Sequence, residues 1–389
     1  MLHVLTVSFC QHPLRPASEQ PYMPESDLDS ALPAPPGFQA RFVAELLTAR
    51  APALSEIAAA KLVAAHPGLA LRYQPLPREK WAHAYRGRLV DLAAALFSER
   101  PEIFVAQISW ARAAFLARGA PIDDLGDSLA VLRTVLAREV PPEDAPLVDA
   151  YIADALRTLD APHSSPPTTL SNASPHGKLA AAYLLHLLEG DRLAAAAVVI
   201  DAVHHERISV RSAYLDILVP VQQELGRMWH LAEINIAEEH FATAATLMVM
   251  SQLLPLAKRR PRDGRVVLVA AVEGNTHDLG VRLLADFFDI AGWRAIYLGA
   301  SVPADELVIA ATDFRADLIA LSAALVAQLP TLESTIRTLR ESLGPRCPRI
   351  LIGGCAFCGE AKSAWHGLGA DAFAANIDDA LSAASNPPP

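Results

Sequence analysis

The chain has 389 residues, 52% hydrophobic and 20% charged, which is enough apolar material for two or three packed domains. Its formal net charge of −10 excludes a broadly basic surface, so nucleic-acid binding by bulk phosphate neutralisation is not expected. Four cysteines do not make a disulfide framework at this length and indicate a reducing compartment.

The N-terminal MLHVLTVSFCQHPLRP has a short apolar run without the basic lead or small-residue cleavage site of a signal peptide. No later run is long enough to span a bilayer, so a cytoplasmic protein without a membrane partner is expected. Residues 1–37, rich in proline and polar side chains, read as a disordered leader because they bury too little to offset the entropy of ordering. Over residues 38–160, segments such as GRLVDLAAALFSERPEIFVAQISWARAAFLARG place apolar residues three and four apart and predict an N-terminal helical domain. Its His66, His83, Trp81 and Trp110 fit no site spacing and are assigned to packing. APHSSPPTTLSNASPHG, residues 161–177, is a disordered linker and a domain boundary.

Four amphipathic helical stretches follow, at 178–189, 191–204, 209–229 and 236–257, so residues 178–258 make a four-helix bundle. The basic cluster Lys258, Arg259, Arg260, Arg262 and Arg265, beside Pro261 and Gly264, reads as a solvated interdomain linker. Over residues 265–386 the period changes. RVVLVAAV, RAIYLGA, DLIALSAAL, PRILIGG and DAFAA alternate with helical stretches, giving five strands in βαβ order. Right-handed crossovers wind them into a parallel sheet of flavodoxin-like order, 2-1-3-4-5. The expected class is therefore α/β plus all-α, a Rossmann-like domain behind a four-helix cap and an N-terminal helical domain. Cys355 and Cys358 form a CxxC with no second pair to complete a zinc site, and read as structural thiols.

In such a sheet a ligand sits beyond the carboxyl ends of the strands, where the order reverses. That rule selects EGNTHDLG after strand 1, Ser322 to Leu325 at strand 3, and Gly353-Gly354 after strand 4. The first loop has neither the glycine pattern nor the Lys-Ser/Thr of a nucleotide site, and Glu273 and Asp278 would repel phosphate. An exposed imidazole at His277, with Asn275 as a hydrogen-bonding neighbour, suits a metal ligand.

GNTHDLG resembles the D-x-H-x-x-G loop of cobalamin-binding domains, in which the histidine is the lower axial ligand to cobalt. Gly274, His277, Asp278 and Gly280 match, and Asn275 stands where that family usually has aspartate. The family's S-x-L is SAAL here, with Ser322 in place and Leu325 one position late; Gly353 and Gly354 match its GG, which leaves space for the cofactor's nucleotide tail. The bundle is similar to the family's cap over the corrin, and Trp229 followed after nine residues by Glu239-His240 resembles light-sensing cobalamin repressors of carotenoid synthesis. There the three residues surround a 5'-deoxyadenosyl group. Asn235 as N-cap with Glu238 at N3 places Glu239 and His240 in the first turns of the last cap helix.

The repressors begin with a basic helix-turn-helix that residues 1–160 do not offer, so direct DNA binding is not expected. Stand-alone photoreceptors, including photocobilins that also hold biliverdin, are closer in organisation. The resemblance implies a cobalamin-binding sensor, with adenosylcobalamin and possession of a biliverdin as cofactor expectations, that signals by cap rearrangement to a downstream protein or by self-association. A corrinoid methyl carrier and a redox or haem-sensing antirepressor are the alternatives. No catalytic residue is assigned.

Overall fold

The computed structural model describes residues 37–160, 166–171, 174–205 and 207–385. The expected leader, up to residue 36, and residues 161–165 and 172–173 of the expected linker lie outside the described residues. The chain divides into two compact units, Met1–Pro101 with Ser128–Ile152, and Glu102–Asp127 with Ala153–Pro389. No helix of the described residues is long and apolar enough to cross a membrane.

The first unit is built on α1 (Phe38–Ala65), α2 (Pro67–Arg72) and α3 (Pro77–Phe97), with most of α5 (Ile122–Glu139) and part of α6 (Ala145–Arg157). Leu47, Leu54 and Leu62 recur along one face of α1, and Tyr85, Leu89, Leu92 and Leu96 along one face of α3; all are fully buried. Proline opens both α2 and α3, where its missing N–H costs nothing. The Tyr85 hydroxyl donates to the Ser128 carbonyl at 2.9 Å, tying α3 to α5.

The second unit contains most of α4 (Pro101–Ala117), a four-helix cap and the α/β domain. The cap runs through α7 (Gly177–Leu188), α8 (Arg192–His204), a long third helix and α11 (Ile236–Leu253). The third helix is α9 (Val210–Ser212), a π-helical turn (Ala213–Leu218) and α10 (Val219–His230), one continuous rod where a single amphipathic stretch is expected. Its core holds Tyr183, Val199, Tyr214, Ile217, Leu225 and Val249, and extends to Leu283 and Phe287 of the α/β domain. One expectation needs correction: the described part of the 161–177 segment is anchored, because Thr169 donates its N–H (2.7 Å) and hydroxyl (3.0 Å) to the buried Glu224 carboxylate on α10.

In the α/β domain, β1 (Val266–Val272), β2 (Arg294–Val302), β3 (Leu318–Ser322), β4 (Arg349–Gly353) and β5 (Ala372–Ala374) form one parallel sheet of order β2-β1-β3-β4-β5. Its helices are α12 (Leu279–Ile290), α13 (Ala304–Asp313), α14 (Leu329–Leu343) and α15 (Ile377–Ser385). Every residue of β1 is buried, as expected of a strand covered on both faces. The pairing puts Ala271, Ser322 and Gly353 side by side, so three strands end together. The basic segment before β1 is exposed, yet pinned to the end of α12: Arg259 and Arg262 pair with Asp289 at 3.4 and 2.8 Å, and Arg265 lies 4.0 Å over the Trp293 ring.

Candidate functional site

The loop between β1 and α12 needs a sharp reversal, which Gly274 allows at φ +78°. The next residue organises it. Asn275 is 0% exposed; its side-chain oxygen accepts the His277 backbone N–H at 3.0 Å and its amide donates to the Ser322 carbonyl at 3.0 Å. The Asn275 amide is thus committed to the backbone of the loop and of β3 rather than to the imidazole, the neighbour expected of it. From the other side, Gly274 N–H donates to Ser301 Oγ at 3.0 Å and Ser301 N–H to the Asn275 carbonyl at 3.0 Å. This buried frame leaves the His277 ring exposed at the strand ends. Asp278 caps α12 in sequence position, and its carboxylate accepts the Tyr297 hydroxyl at 2.7 Å. Gly280, in the first turn of α12, would meet no atom within 4 Å if it carried a Cβ.

At β3, Ser322 faces the adjoining turn and Leu325 is 51% exposed. Gln328, which belongs to none of the motifs, orders this stretch: its side-chain oxygen accepts from Ala324 and Leu325 N–H at 2.8 and 3.1 Å, and its amide reaches the Gly274 carbonyl at 3.4 Å. After β4, a Cβ on Gly353 would fall 2.7 Å from the Ala374 carbonyl oxygen, and one on Gly354 (φ +108°) 2.2 Å from that of Ala323. Both positions admit glycine alone without backbone movement. Hydrogen bonds and close approach therefore bring Asn275, Ser322, Gln328, Gly353 and Gly354 together at the strand ends, in a frame that also holds the backbone of the exposed His277.

The expected cap residues have other partners. Asn235 and Glu238 form the anticipated capping box, with Asn235 accepting Ala237 and Glu238 N–H at 2.8 and 3.1 Å and Glu238 accepting Asn235 N–H at 2.7 Å. Glu239 accepts the Thr243 hydroxyl at 2.8 Å, and Thr243 also lies 3.2 Å from Gln222 of α10; His240 Nε2 is 3.6 Å from the Glu239 carboxylate. Trp229 is half-buried at the end of α10, with its ring centroid 6.1 Å from that of Trp110 on α4. Trp110 also stacks flat on His230 at 4.2 Å, and His230 Nε2 donates to the Trp110 carbonyl at 2.9 Å. Arg118 donates to the His230 and Trp229 carbonyls at 2.9 and 3.2 Å, placing a cation at the C-terminal end of α10, where the helix dipole favours it. Trp110 thus packs, as expected, and does so against the end of α10. No periodic signal announces it, because its partner lies 120 residues away.

A second polar path joins the cap to the loop. Tyr214, in the π-helical turn, donates to the buried Asp286 at 2.7 Å, and Arg282 pairs with Asp286 at 3.1 Å. The Arg282 guanidinium lies 5.4 Å over the Tyr297 ring, whose hydroxyl holds Asp278. Burial, then the neighbouring Asp286 carboxylate, pushes the Tyr214 hydroxyl well above the usual phenol range. Burial raises Asp286, against the hydrogen bond from Tyr214 and the charge of Arg282. π-helical turns are often found at functional sites.

The donor set fits a corrin-bound cobalt better than a free ion. Among the described residues no three His, Cys, Asp or Glu side chains converge as a metal cage, whereas His277 offers one exposed imidazole on the loop after β1, at the strand ends where Gly353 and Gly354 let the backbones approach closely. Residues 265–384 match the B12 binding domain, and residues 179–254 match a second B12 binding domain. Dimethylamine corrinoid protein 1 of Methanosarcina acetivorans is 30% identical over 167 residues, 43% of this chain and 75% of the relative. The HTH-type transcriptional repressor CarH of Myxococcus xanthus is 28% identical over 145 residues, 37% of this chain and 47% of the repressor. The monomethylamine corrinoid protein of Methanosarcina barkeri superimposes with a TM-score of 0.48 at 18% identity, covering 54% of this chain and 98% of that one. By its two domain matches and its corrinoid relative, the chain belongs to the B12-binding family and is a cobalamin-binding protein.

Proposed function

We propose that the protein is an adenosylcobalamin-dependent light sensor that signals through movement of its cap. The observation that carries this reading is the grip of α4 on the end of α10: Trp110 and Arg118 hold Trp229 and His230 from outside the bundle. A cap that only shelters a methyl group has no need of such a connection, whereas a sensor needs a route by which Trp229 moves something else. When bound, adenosylcobalamin supplies a cobalt–carbon bond that light cleaves.

The chain's own residues supply the rest. His277 offers a nitrogen ligand from the strand-end side, while Asn275, Gly274, Asp278 and Gly280 shape its loop. Ser322, Leu325, Gly353 and Gly354 line the space for the nucleotide tail. Trp229 presents a flat apolar face and Glu239, with His240, a carboxylate that accepts hydroxyl hydrogen bonds. Loss of the group between them removes buried area and hydrogen-bond partners from the end of α10, and Trp110 and Arg118 pass that displacement to α4. The output is self-association or contact with a downstream protein. A biliverdin remains part of the proposal, tested by red absorbance on adding it to the purified chain.

The experiment compares hydrodynamic size and protease digestion of the adenosylcobalamin-loaded chain before and after green light, in wild type, Trp229→Ala, Glu239→Ala and His277→Ala. Wild type is expected to change on illumination. The two cap variants should bind cobalamin and change less, and His277→Ala should show a spectrum without protein imidazole ligation. The second reading, a corrinoid methyl carrier, is favoured by the dimethylamine corrinoid relative. Identical dark and light behaviour, together with methyl transfer from the loaded chain to a partner enzyme, replaces the sensor by the carrier.

A further inference from the structure

The turn after β4 carries a pair of thiols that cobalamin binding does not use. Cys355 opens one 3-10 turn (Cys355–Phe357) and Cys358 closes it, its N–H donating to the Cys355 carbonyl at 3.1 Å. Both side chains are exposed and free, within a single turn of each other. Interaction between the neighbouring thiols brings Cys358 down to about 6 against the opposing effect of burial, and pushes Cys355 up. Cys347 is the contrast within the chain: it is less exposed, lies beside Arg340, and burial raises its thiol. Among the described residues no third ligand joins the pair to make a metal site.

The turn is fastened to the strand ends. Ala356 N–H donates to the Ala323 carbonyl and Ala323 N–H to the Gly353 carbonyl, each at 3.1 Å. Gly354 lies so close that a Cβ would sit 2.2 Å from the Ala323 oxygen. A change in the separation of Cys355 and Cys358 has no slack to absorb it and acts on Gly354 and Ala323, beside Ser322.

We propose that Cys355 and Cys358 are a dithiol that exchanges with low-molecular-weight disulfides, and that its redox state is coupled to occupancy of the Gly353–Gly354 turn by cobalamin. The Cys358 thiolate attacks one sulfur of the small disulfide, forming a mixed disulfide and releasing a thiolate. Cys355 then attacks the Cys358 sulfur, closing the intrachain disulfide and expelling the second small thiol, which takes the Cys355 proton. The two cysteines lose two electrons and the small disulfide gains them. Coupling between two equilibria at one turn is reciprocal, so cobalamin shifts the dithiol as much as the dithiol shifts cobalamin. This second part rests on placing the cobalamin tail at Gly353–Gly354.

The test equilibrates the full chain without cobalamin in glutathione buffers of graded ratio, then alkylates it and maps the cysteines by peptide mass spectrometry. The expected product is a Cys355–Cys358 disulfide, reversed by dithiothreitol, with Cys347 alkylated throughout. Cys355→Ser should stop at a mixed disulfide on Cys358, and Cys358→Ser should react several-fold more slowly. Alkylation of Cys355 and Cys358 at the Cys347 rate, with no disulfide at any ratio, overturns the dithiol. Saturating hydroxocobalamin should move the glutathione midpoint roughly fivefold or more, the lower end of ordinary coupling; an unmoved midpoint overturns the coupling. Failure of the wild-type chain to take up hydroxocobalamin refutes the cobalamin site and the coupling, while the dithiol stands or falls on the cobalamin-free titration.

Discussion

Replacing Gly354 by alanine tests the strand-end turn directly. Gly354 has φ +108°, and a Cβ there would lie 2.2 Å from the Ala323 carbonyl oxygen and 2.8 Å from Ser322 Oγ. A backbone oxygen cannot rotate aside as a side chain does, and this one already accepts the Ala356 N–H at 3.1 Å. Holding a non-glycine residue in this conformation costs about 1–3 kcal/mol, and loss of the displaced hydrogen bond about 0.5–1.5 kcal/mol more. A combined cost of about 2–4 kcal/mol lowers the melting temperature of a unit this size by roughly 4–16 °C. Thermal unfolding without cobalamin should show that drop, and hydroxocobalamin titration should show affinity down about tenfold, the equivalent of ~1.4 kcal/mol. Gly280→Ala is the comparison, because its Cβ meets no atom within 4 Å. It should unfold at or above the wild-type temperature, since alanine favours a helix over glycine. A Gly354→Ala chain that melts and binds like wild type would refute the argument that the GG turn has no room for a side chain.

Three further outcomes follow from the geometry. Asn275→Asp removes the donor to the Ser322 carbonyl and sets two acceptors against each other in a fully buried place; chemical denaturation should show a loss of about 1–3 kcal/mol, although aspartate is the residue the resembling family usually has there. Arg118→Ala removes the guanidinium donors from the Trp229 and His230 carbonyls. It should keep cobalamin affinity within about twofold, a cost well below the ~1.4 kcal/mol of a tenfold change, yet shrink the light-dependent difference in size; an unchanged difference removes α4 from the signalling route. In the first unit, burial pushes the Asp91 carboxyl up to about 7, partly offset by Arg88. The folded chain therefore binds more protons than the unfolded one between about pH 4 and pH 7, so this contribution is complete below about pH 4 and is lost as pH rises through about 7. Melting temperature measured across that window should fall in wild type and fall less in Asp91→Asn; parallel curves contradict the assignment.

Elements whose signals are local can be read directly from the chain. The run of buried residues in β1, the alternation of strands and helices, the sheet order and the Asn235–Glu238 capping box all rest on patterns within one or two turns of chain, and the structure contains each of them. The loop carrying His277 was legible for the same reason: chain order fixes where strands end, and that fixes which loops share the crevice. Tertiary structure alone decided what the side chains in those loops do. Asn275 was read as a neighbour of the imidazole but is drawn to the Ser322 carbonyl, because a buried amide must satisfy its donor and acceptor with whatever backbone is nearest. Trp110 and Arg118 gave no signal, and Tyr214 with Asp286 gave none, since each acts on a partner 72 to 120 positions distant. A contact across such a separation is set by the packing of whole helices and strands, and leaves no periodicity in the sequence around either residue.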